Sequence, residues 1–376
     1  MVNLLFHVST LLKKYPNLWL LILSFFFLLL LFARNSIILH EVNYNIMIKK
    51  IYVTRRIDET GINLLRKKYS VFMSFKHTSP SKKEILKRVK NVHAIVCTLS
   101  ERIDSDVMDA AGDNLRVIST FSTGYEHIDV DEATKRGIYV TNTGDILSEA
   151  TADLTFAFIL ALGRRVVEAN KYVLSKKWNY GWMPNLFLGT NIFNSTLGIL
   201  GLGNIGTAVA RRARGFNMNI LYHNRHRLNR NKEKKLGVNF VDKDTLLNNS
   251  DFLSIHVSLQ KENYHLIDIN DFKKMNKNTY LINTSRGSVI NEKSLIVALG
   301  KKWIAGAGLD VFESEPLKKS NRLLQFNNVV ILPHIGSATI QTRSKMSEVA
   351  ALNIYNIFEG KSPLFLVNKN SKNALI

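Results

Sequence analysis

Three residues of this chain sit where a parallel α/β sheet would place its chemistry. Arg286 follows the run Leu281-Ile282-Asn283-Thr284-Ser285. Glu315 lies in Leu309-Asp310-Val311-Phe312-Glu313-Ser314-Glu315-Pro316, and His334 follows Leu332-Pro333. Ligands of open α/β sheets bind beyond the carboxyl ends of the strands. An arginine there can fork onto a carboxylate and polarise the neighbouring carbonyl. A histidine, titratable near neutral pH, can hand a proton to the alkoxide that forms when a hydride arrives. A glutamate beside the imidazole favours its protonated form and holds the ring. The set suits reduction of a 2-keto acid. Taken singly, each residue has an ordinary alternative: a surface arginine at a helix start, a solvated loop acid, a satisfied strand-end histidine.

A hydride source is legible upstream. Gly201-Leu202-Gly203-Asn204-Ile205-Gly206 follows the apolar run Leu197-Gly198-Ile199-Leu200. A strand turning through Gly-x-Gly-x-x-Gly into a helix is a dinucleotide-binding fingerprint. The first glycine makes the turn, the second admits the pyrophosphate, and the third lets helix pack on strand. The helix starting near Asn204 and Ile205 offers free N–H groups and a positive dipole end. A second strand, Asn219-Ile220-Leu221-Tyr222, follows at the expected distance. It ends in His223-Asn224-Arg225-His226-Arg227, where an NAD-preferring site usually has an acid. An acid would repel a 2′-phosphate, whereas arginines can bind it. The expected cofactor is therefore NADP(H) in preference to NAD(H), with NAD(H) left open. In the plainer alternative, Arg225 and Arg227 merely begin a solvated basic stretch running to Lys235.

The elements around these motifs fit two domains. The chain has 376 residues, 46% of them hydrophobic. Short apolar strands alternate with helical segments from Ile51 to about Val140, and again from Leu197 to Leu332, which implies parallel α/β structure. Residues 147–174 read as one long helical stretch, apolar on more than one face and so buried between lobes or in a subunit interface. Cys97 is the single cysteine. It precludes an intrachain disulfide, fits a reducing compartment and reads as a core thiol. No Cys/His cluster has metal-site spacing, so no metal is expected. The net charge is +21, but the basic residues are dispersed, and no nucleic-acid partner is expected. Residues 18–33 form an apolar run flanked by Lys13, Lys14 and Arg34. That run is slightly short for a membrane span and slightly long for a signal peptide. It reads as an anchor, a targeting segment, or the product of a start upstream of Met47, where the first strand begins. The expected location is cytoplasmic, or membrane-anchored through residues 18–33 alone.

Thr284-Ser285-Arg286-Gly287, the run from Gly308 to Pro316, Pro333-His334-Ile335-Gly336-Ser337-Ala338 and the glycine loop together resemble the D-isomer-specific 2-hydroxyacid dehydrogenases. Within that family they are most similar to glyoxylate/hydroxypyruvate reductases. The resemblance spans residues 47–368. It implies two Rossmann-like lobes, with the cofactor lobe inserted into a flavodoxin-like substrate lobe. Residues 47–146 and 337–376 would form the substrate domain, and 147–336 the NAD(P)-binding domain. It implies that Arg286, Glu315 and His334 are catalytic. Asp310 would hold the nicotinamide amide, and Thr284, Ser285 and Gly336 would line the cofactor. The substrate would meet Thr123 and Gly124 in Ser122-Thr123-Gly124-Tyr125, with Leu99 and Ser100 nearby. Trp182 would reach the site of a partner subunit, which makes a homodimer the expected assembly.

The expected reaction is NADPH-dependent reduction of glyoxylate to glycolate and hydroxypyruvate to D-glycerate. The alternatives are an NAD-dependent relative of phosphoglycerate or D-lactate type, or a dinucleotide-sensing, corepressor-like scaffold. Two positions depart from the family pattern. Gly144 and Ser258 stand where proline is usual, and they bear on loop rigidity and cofactor affinity.

Overall fold

Runs of aliphatic residues buried on both faces form parallel strands here, as parallel sheets require. The computed structural model describes residue 29 and residues 48–368. Met47, most of the apolar run 18–33 and residues 369–376 lie outside the described residues. The first sheet contains β1 (Lys50–Val53), β2 (Ser70–Met73), β3 (Ala94–Cys97), β4 (Val117–Thr120) and β5 (Tyr139–Thr141). Its order is β2-β1-β3-β4-β5, with all neighbours parallel. The crossovers are helices α1 (Glu59–Arg66), α2 (Lys82–Arg88), α3 (Ser105–Ala111) and α4 (Val130–Lys135). Each starts at a side-chain cap: Asp58, Ser81, Asp104 or Asp129 accepts an N–H of the first turn.

Two helices then lead to the second sheet, α5 (Ser148–Gly163) and α6 (Val166–Leu174). The single helix expected over 147–174 is thus broken. Arg165 adopts φ 53°, a left-handed value that ends α5 and redirects the chain. Gly163, the last residue of α5, is packed closely against Ile192 and Phe252, which leaves little room for a larger side chain. The burial expectation divides with the helix. Ten residues of α5 are buried, and none of α6 is.

The second sheet has seven parallel strands in the order β12-β11-β10-β9-β6-β7-β8. They are β6 (Thr196–Leu200), β7 (Asn219–His223), β8 (Asn239–Phe240), β9 (Phe252–Ile255), β10 (Tyr280–Asn283), β11 (Gly306–Leu309) and β12 (Val329–Ile331). The helices between them are α7 (Asn204–Gly215), α8 (Arg230–Leu236), α9 (Lys243–Asn249), α10 (Ile269–Lys274) and α11 (Glu292–Gly300). The chain order reverses between β6 and β9, so a ligand crevice opens beyond the end of β6. α5 packs across α7, β10 and β11.

The last helix, α12 (Ile340–Phe358), returns to the first sheet, against α1 and β4. Gly61 permits that contact, because a Cβ there would overlap the backbone at Ser347. The Gly61 N–H donates to Ser347 Oγ at 3.1 Å. Ala351 and Ile354 close over Ile51, Val53, Ile62 and Leu65. Each such buried Ile, Val or Leu side chain contributes roughly 1.5–3 kcal/mol. Cys97 is buried in β3, and burial pushes its thiol up, as expected of a core thiol. Among the described residues no helix is long and apolar enough to cross a membrane, and no group of acidic, histidine and cysteine side chains is placed to hold a metal.

Two local features have measurable consequences. Gly144 has φ 59°, a value closed to proline, and Phe365 lies where a Cβ would stand. The Gly144→Ala variant is expected to lose at least about 1 kcal/mol of unfolding free energy, and Gly144→Pro more. Equal thermal midpoints for both variants and the unaltered protein would refute this. The second feature is His127, which burial pushes from 6.5 down to about 4, with Arg286 and Arg102 adding to the effect and Glu126 opposing it. The unfolded chain takes up this proton below pH 6.5 while the folded chain refuses it. Stability is therefore expected to fall as pH drops from 6.5 toward 4, by up to ~3 kcal/mol from this group. Thermal unfolding of His127→Asn across that range is expected to show a shallower slope. An unchanged slope would remove the assignment.

Candidate active site

The carboxyl ends of β10, β11 and β12 carry Arg286, Glu315 and His334 toward one cleft. Asn283, the buried last residue of β10, knits the loop that holds Arg286. Its Oδ1 accepts from Ser285 N at 3.0 Å and Ser285 Oγ at 2.9 Å, and its Nδ2 donates to Arg286 O at 2.9 Å. Thr284 is anchored on α5 through Thr155, hydroxyl to hydroxyl at 3.1 Å. Arg286 Nη1 donates to Ser285 O at 2.8 Å, and Nε donates to Glu126 Oε1, from the loop beyond β4.

Asp310, the residue after β11, is buried and grips the turn beyond β12. Its Oδ1 and Oδ2 accept from Ile335 N and Gly336 N, each at 2.7 Å, and its carbonyl accepts from His334 N at 2.9 Å. Burial raises the Asp310 carboxyl against the pull of these bonds. Thr151 of α5 donates to Gly336 O at 3.2 Å. Within this turn His334 takes φ 56°. Its Nδ1 lies 2.7 Å from Glu315 Oε2. A carboxylate only accepts, so Nδ1 carries the N–H and Nε2 is the remaining ring nitrogen. Glu315 Oε1 accepts from Phe312 N at 3.1 Å. Burial alone would raise the Glu315 carboxyl, but the His334 ring, the Phe312 N–H and Arg286 together hold it below its usual range.

The glycine loop follows β6. Gly201 has φ 99°, and a Cβ there would press on the His256–Val257 backbone. A Cβ at Gly206 would overlap the Gly201 carbonyl, while Gly203 faces open space. Gly203 is the N-cap of α7 and offers no side-chain cap to its first turn. The N–H groups at Asn204, Ile205 and Gly206 therefore stand ready for an anion. Turn, open approach and close packing fit a dinucleotide pyrophosphate. At the end of β7, Asn224 Oδ1 accepts from Leu202 N at 2.6 Å, which leaves its amide NH₂ as donor. Arg225 and His226 are exposed. Arg227 is bound two-pronged to Glu233, Nε to Oε1 and Nη2 to Oε2 at 2.8 Å each. Tyr222 OH donates to the same carboxylate at 2.6 Å. Of the two arginines, Arg225 is thus the one with no such carboxylate partner among the described residues.

On the first sheet, Leu99 and Ser100 lie beyond β3, and Thr123 and Gly124 beyond β4. Ser100 Oγ accepts from Arg55 Nη1 at 3.2 Å. A buried chain of polar groups sets the Gly124 loop. His127 Nε2 lies 3.0 Å from Thr120 Oγ1, which lies 2.6 Å from Ser122 Oγ, which donates to Gly124 O at 2.6 Å. Asn142 Nδ2 donates to Thr123 O at 2.8 Å. A Cβ on Gly124 would collide with Arg286 and Glu126. Trp182 stands apart, 86% exposed on the segment after α6 beside the exposed Trp178 and Tyr180. The residues that sequence reasoning missed are Glu126, Asn142, Thr151 and Thr155. Their partners are distant in the chain, so no local pattern marks them.

Residues 156–336 match the D-isomer specific 2-hydroxyacid dehydrogenase, NAD binding domain. A glyoxylate reductase of Korarchaeum cryptofilum (strain OPF8) is 47% identical over 320 residues, covering 85% of this chain and 96% of the relative. A protein of Thermus thermophilus of known structure is 39% identical with a TM-score of 0.80, covering 85% of this chain and 99% of that one. An NADPH-dependent glyoxylate/hydroxypyruvate reductase of Sinorhizobium meliloti, solved with NADP and malonate, is 29% identical with a TM-score of 0.75, covering 86% of this chain and 98% of that one. The cleft geometry and these likenesses agree, and the chain belongs to the D-isomer-specific 2-hydroxyacid dehydrogenase family.

Proposed function

We propose that this oxidoreductase reduces glyoxylate and hydroxypyruvate with NADPH. The observation that carries the reading is the Glu315–His334 contact at 2.7 Å, set beside Arg286 at the carboxyl end of a Rossmann sheet. Residues 47–146 and 337–376 serve as the substrate domain and 147–336 as the cofactor domain. The glycine loop and the start of α7 hold the pyrophosphate, and Thr284, Ser285, Asp310 and Gly336 line the nicotinamide end. When bound, the dinucleotide supplies the hydride. Arg286 and the backbone N–H groups at Thr123 and Gly124 orient the substrate carboxylate, anchors that suit a small acid. His334 holds a proton at Nε2 for the developing alkoxide, and Glu315 fixes the ring through Nδ1. Leu99 and Ser100 would line the same cleft.

NADP(H) preference rests on Asn224 and Arg225, with His226 beside them. No carboxylate stands there to repel a 2′-phosphate, and Arg225 is free to meet it. The neighbour from Sinorhizobium meliloti, solved with NADP, supports the same choice. A homodimer is supported by the exposed Leu174, Trp178, Tyr180, Trp182 and Leu188, an apolar stretch that calls for cover. In that homodimer the exposed Trp182 would enter the partner's cleft. A cytoplasmic location accords with the single cysteine.

Steady-state kinetics on protein beginning at Met47 test these assignments. Arg286→Ala is expected to lower kcat/KM for glyoxylate by roughly 10²–10³-fold. His334→Gln is expected to lower kcat by roughly 10²–10⁴-fold while dinucleotide affinity, read by titration, stays unchanged. Retained turnover in either variant would refute its role. Asn224→Asp is expected to shift the ratio of kcat/KM values from NADPH toward NADH by roughly tenfold or more, about 1.4 kcal/mol. An unchanged ratio, or an NADH preference in the unaltered enzyme, would overturn the cofactor assignment.

A further inference from the structure

The guanidinium that would greet the substrate is already occupied by a carboxylate from the same chain. Glu126 leaves the first sheet just beyond the Gly124 loop, and its Oε1 accepts from Arg286 Nε, which arrives from the second sheet 160 residues later. Both side chains are largely sheltered, Arg286 24% and Glu126 33% exposed. Burial alone would raise the Glu126 carboxyl, but the Arg286 charge and hydrogen bond outweigh it and keep the group ionised. Both side chains crowd the open face of Gly124, the backbone that would share the substrate carboxylate. The loop is not free to drift away from them. His127, Thr120 and Ser122 bind it from behind, and Arg102 Nη1 holds the Glu126 carbonyl at 3.2 Å.

A carboxylate on a guanidinium is the contact that a 2-keto acid would make in the same place. We propose that Glu126 is an internal competitor for the substrate carboxylate, and that binding exchanges the Glu126 side chain for the substrate on Arg286. Three consequences follow from the charges. In the empty site Glu126 already matches the Arg286 charge, so small inorganic anions gain little by approaching that guanidinium. The substrate must outbid a tethered carboxylate, which sets its KM above what Arg286 alone would give. An acid with a second negative group meets Glu126 at close range and is disfavoured relative to a monoanion. Glu126 is thus a specificity-determining residue for the reaction proposed above. A purely structural role, aiming Arg286, makes the opposite forecast on removal of its charge.

The inference rests on the reading of Arg286 as the carboxylate anchor, and the test separates the two. Affinities for oxamate, a monoanion, and oxalate, a dianion, are measured by titration onto the dinucleotide-bound enzyme, alongside glyoxylate kinetics. Glu126→Gln keeps the shape and removes the charge. It is expected to lower KM for glyoxylate roughly tenfold, with kcat held within a few-fold, and to tighten oxalate more than oxamate. A KM that stays level or rises, a kcat that collapses, or equal gains for the two anions would overturn the proposal. Glu126→Asp, which retains the charge, is expected to keep the unaltered preference between the anions. Loss of that preference would count against the proposal. Should Glu126→Gln fail to fold, a crystal structure of the unaltered enzyme with oxamate decides. Glu126 displaced from Arg286 supports the exchange, and Glu126 still bound to Arg286 refutes it. If no keto acid is turned over by the unaltered enzyme, the proposed function fails, while the oxamate and oxalate affinities still report on Glu126.

Discussion

The buried Asp310 carboxylate is the fastening on which this site depends. It takes two backbone N–H groups from the turn after β12, while its own carbonyl takes a third. That grip forces His334 into a left-handed conformation, which costs a residue other than glycine roughly 1–2 kcal/mol. Three hydrogen bonds, two of them to a charged group, offset such a cost. The strained turn aims the imidazole at Glu315, and Glu315 is itself pinned by the Phe312 N–H. α5 reinforces the arrangement from behind through Thr151 and Thr155. The site is therefore built from backbone as much as from side chains. It can tolerate varied sequence nearby only while these hydrogen bonds survive.

The two sheets contribute unequal kinds of precision. The second sheet holds its residues through short loops locked to buried strands. The first presents a backbone surface, Gly124, stiffened by a chain of hydroxyls ending at His127. Between them runs the Arg286–Glu126 pair, a charged contact in sheltered surroundings, where removal of either partner leaves the other uncompensated. Such a contact is sensitive to whatever else carries charge into the cleft.

The sequence made some of this plain and hid the rest for identifiable reasons. The glycine loop was readable because turn, approach and packing fall within six residues, and each glycine has its own steric reason. The convergence of Arg286, Glu315 and His334 was readable because each lies in a loop that follows a strand's carboxyl end and keeps the family's spacing. Glu126 was not, because nothing near Tyr125 announces a partner at 286. Asn142 and Thr155 were hidden for the same reason. The break after α5 was missed because Arg164 and Arg165 are good helix formers, and the left-handed Arg165 that redirects the chain has no mark in the local sequence. Arg227 looked equivalent to Arg225 until the fold carried Glu233 onto it. The glycine at 144 read as a softened loop. The structure instead gives it a positive φ with the Phe365 ring over it, a fixed conformation reached by another route.

The return of the chain to its first sheet has a bearing on how the molecule is made. Ala351 and Ile354 of α12 cover the face formed by Ile51, Val53 and Val117. The Asn368 side chain finishes the β5 edge, accepting from Val140 N and donating to Ile138 O at 2.8 Å each. About 200 residues separate β5 from α12, so at ribosomal speeds of about 5–20 residues per second the first sheet waits roughly ten seconds or more for its cover. The second sheet, by contrast, finds all seven of its strands within one uninterrupted stretch. The lobe translated first is thus the one completed last, and its apolar face is open to solvent, to other nascent chains and to holdase chaperones throughout that interval.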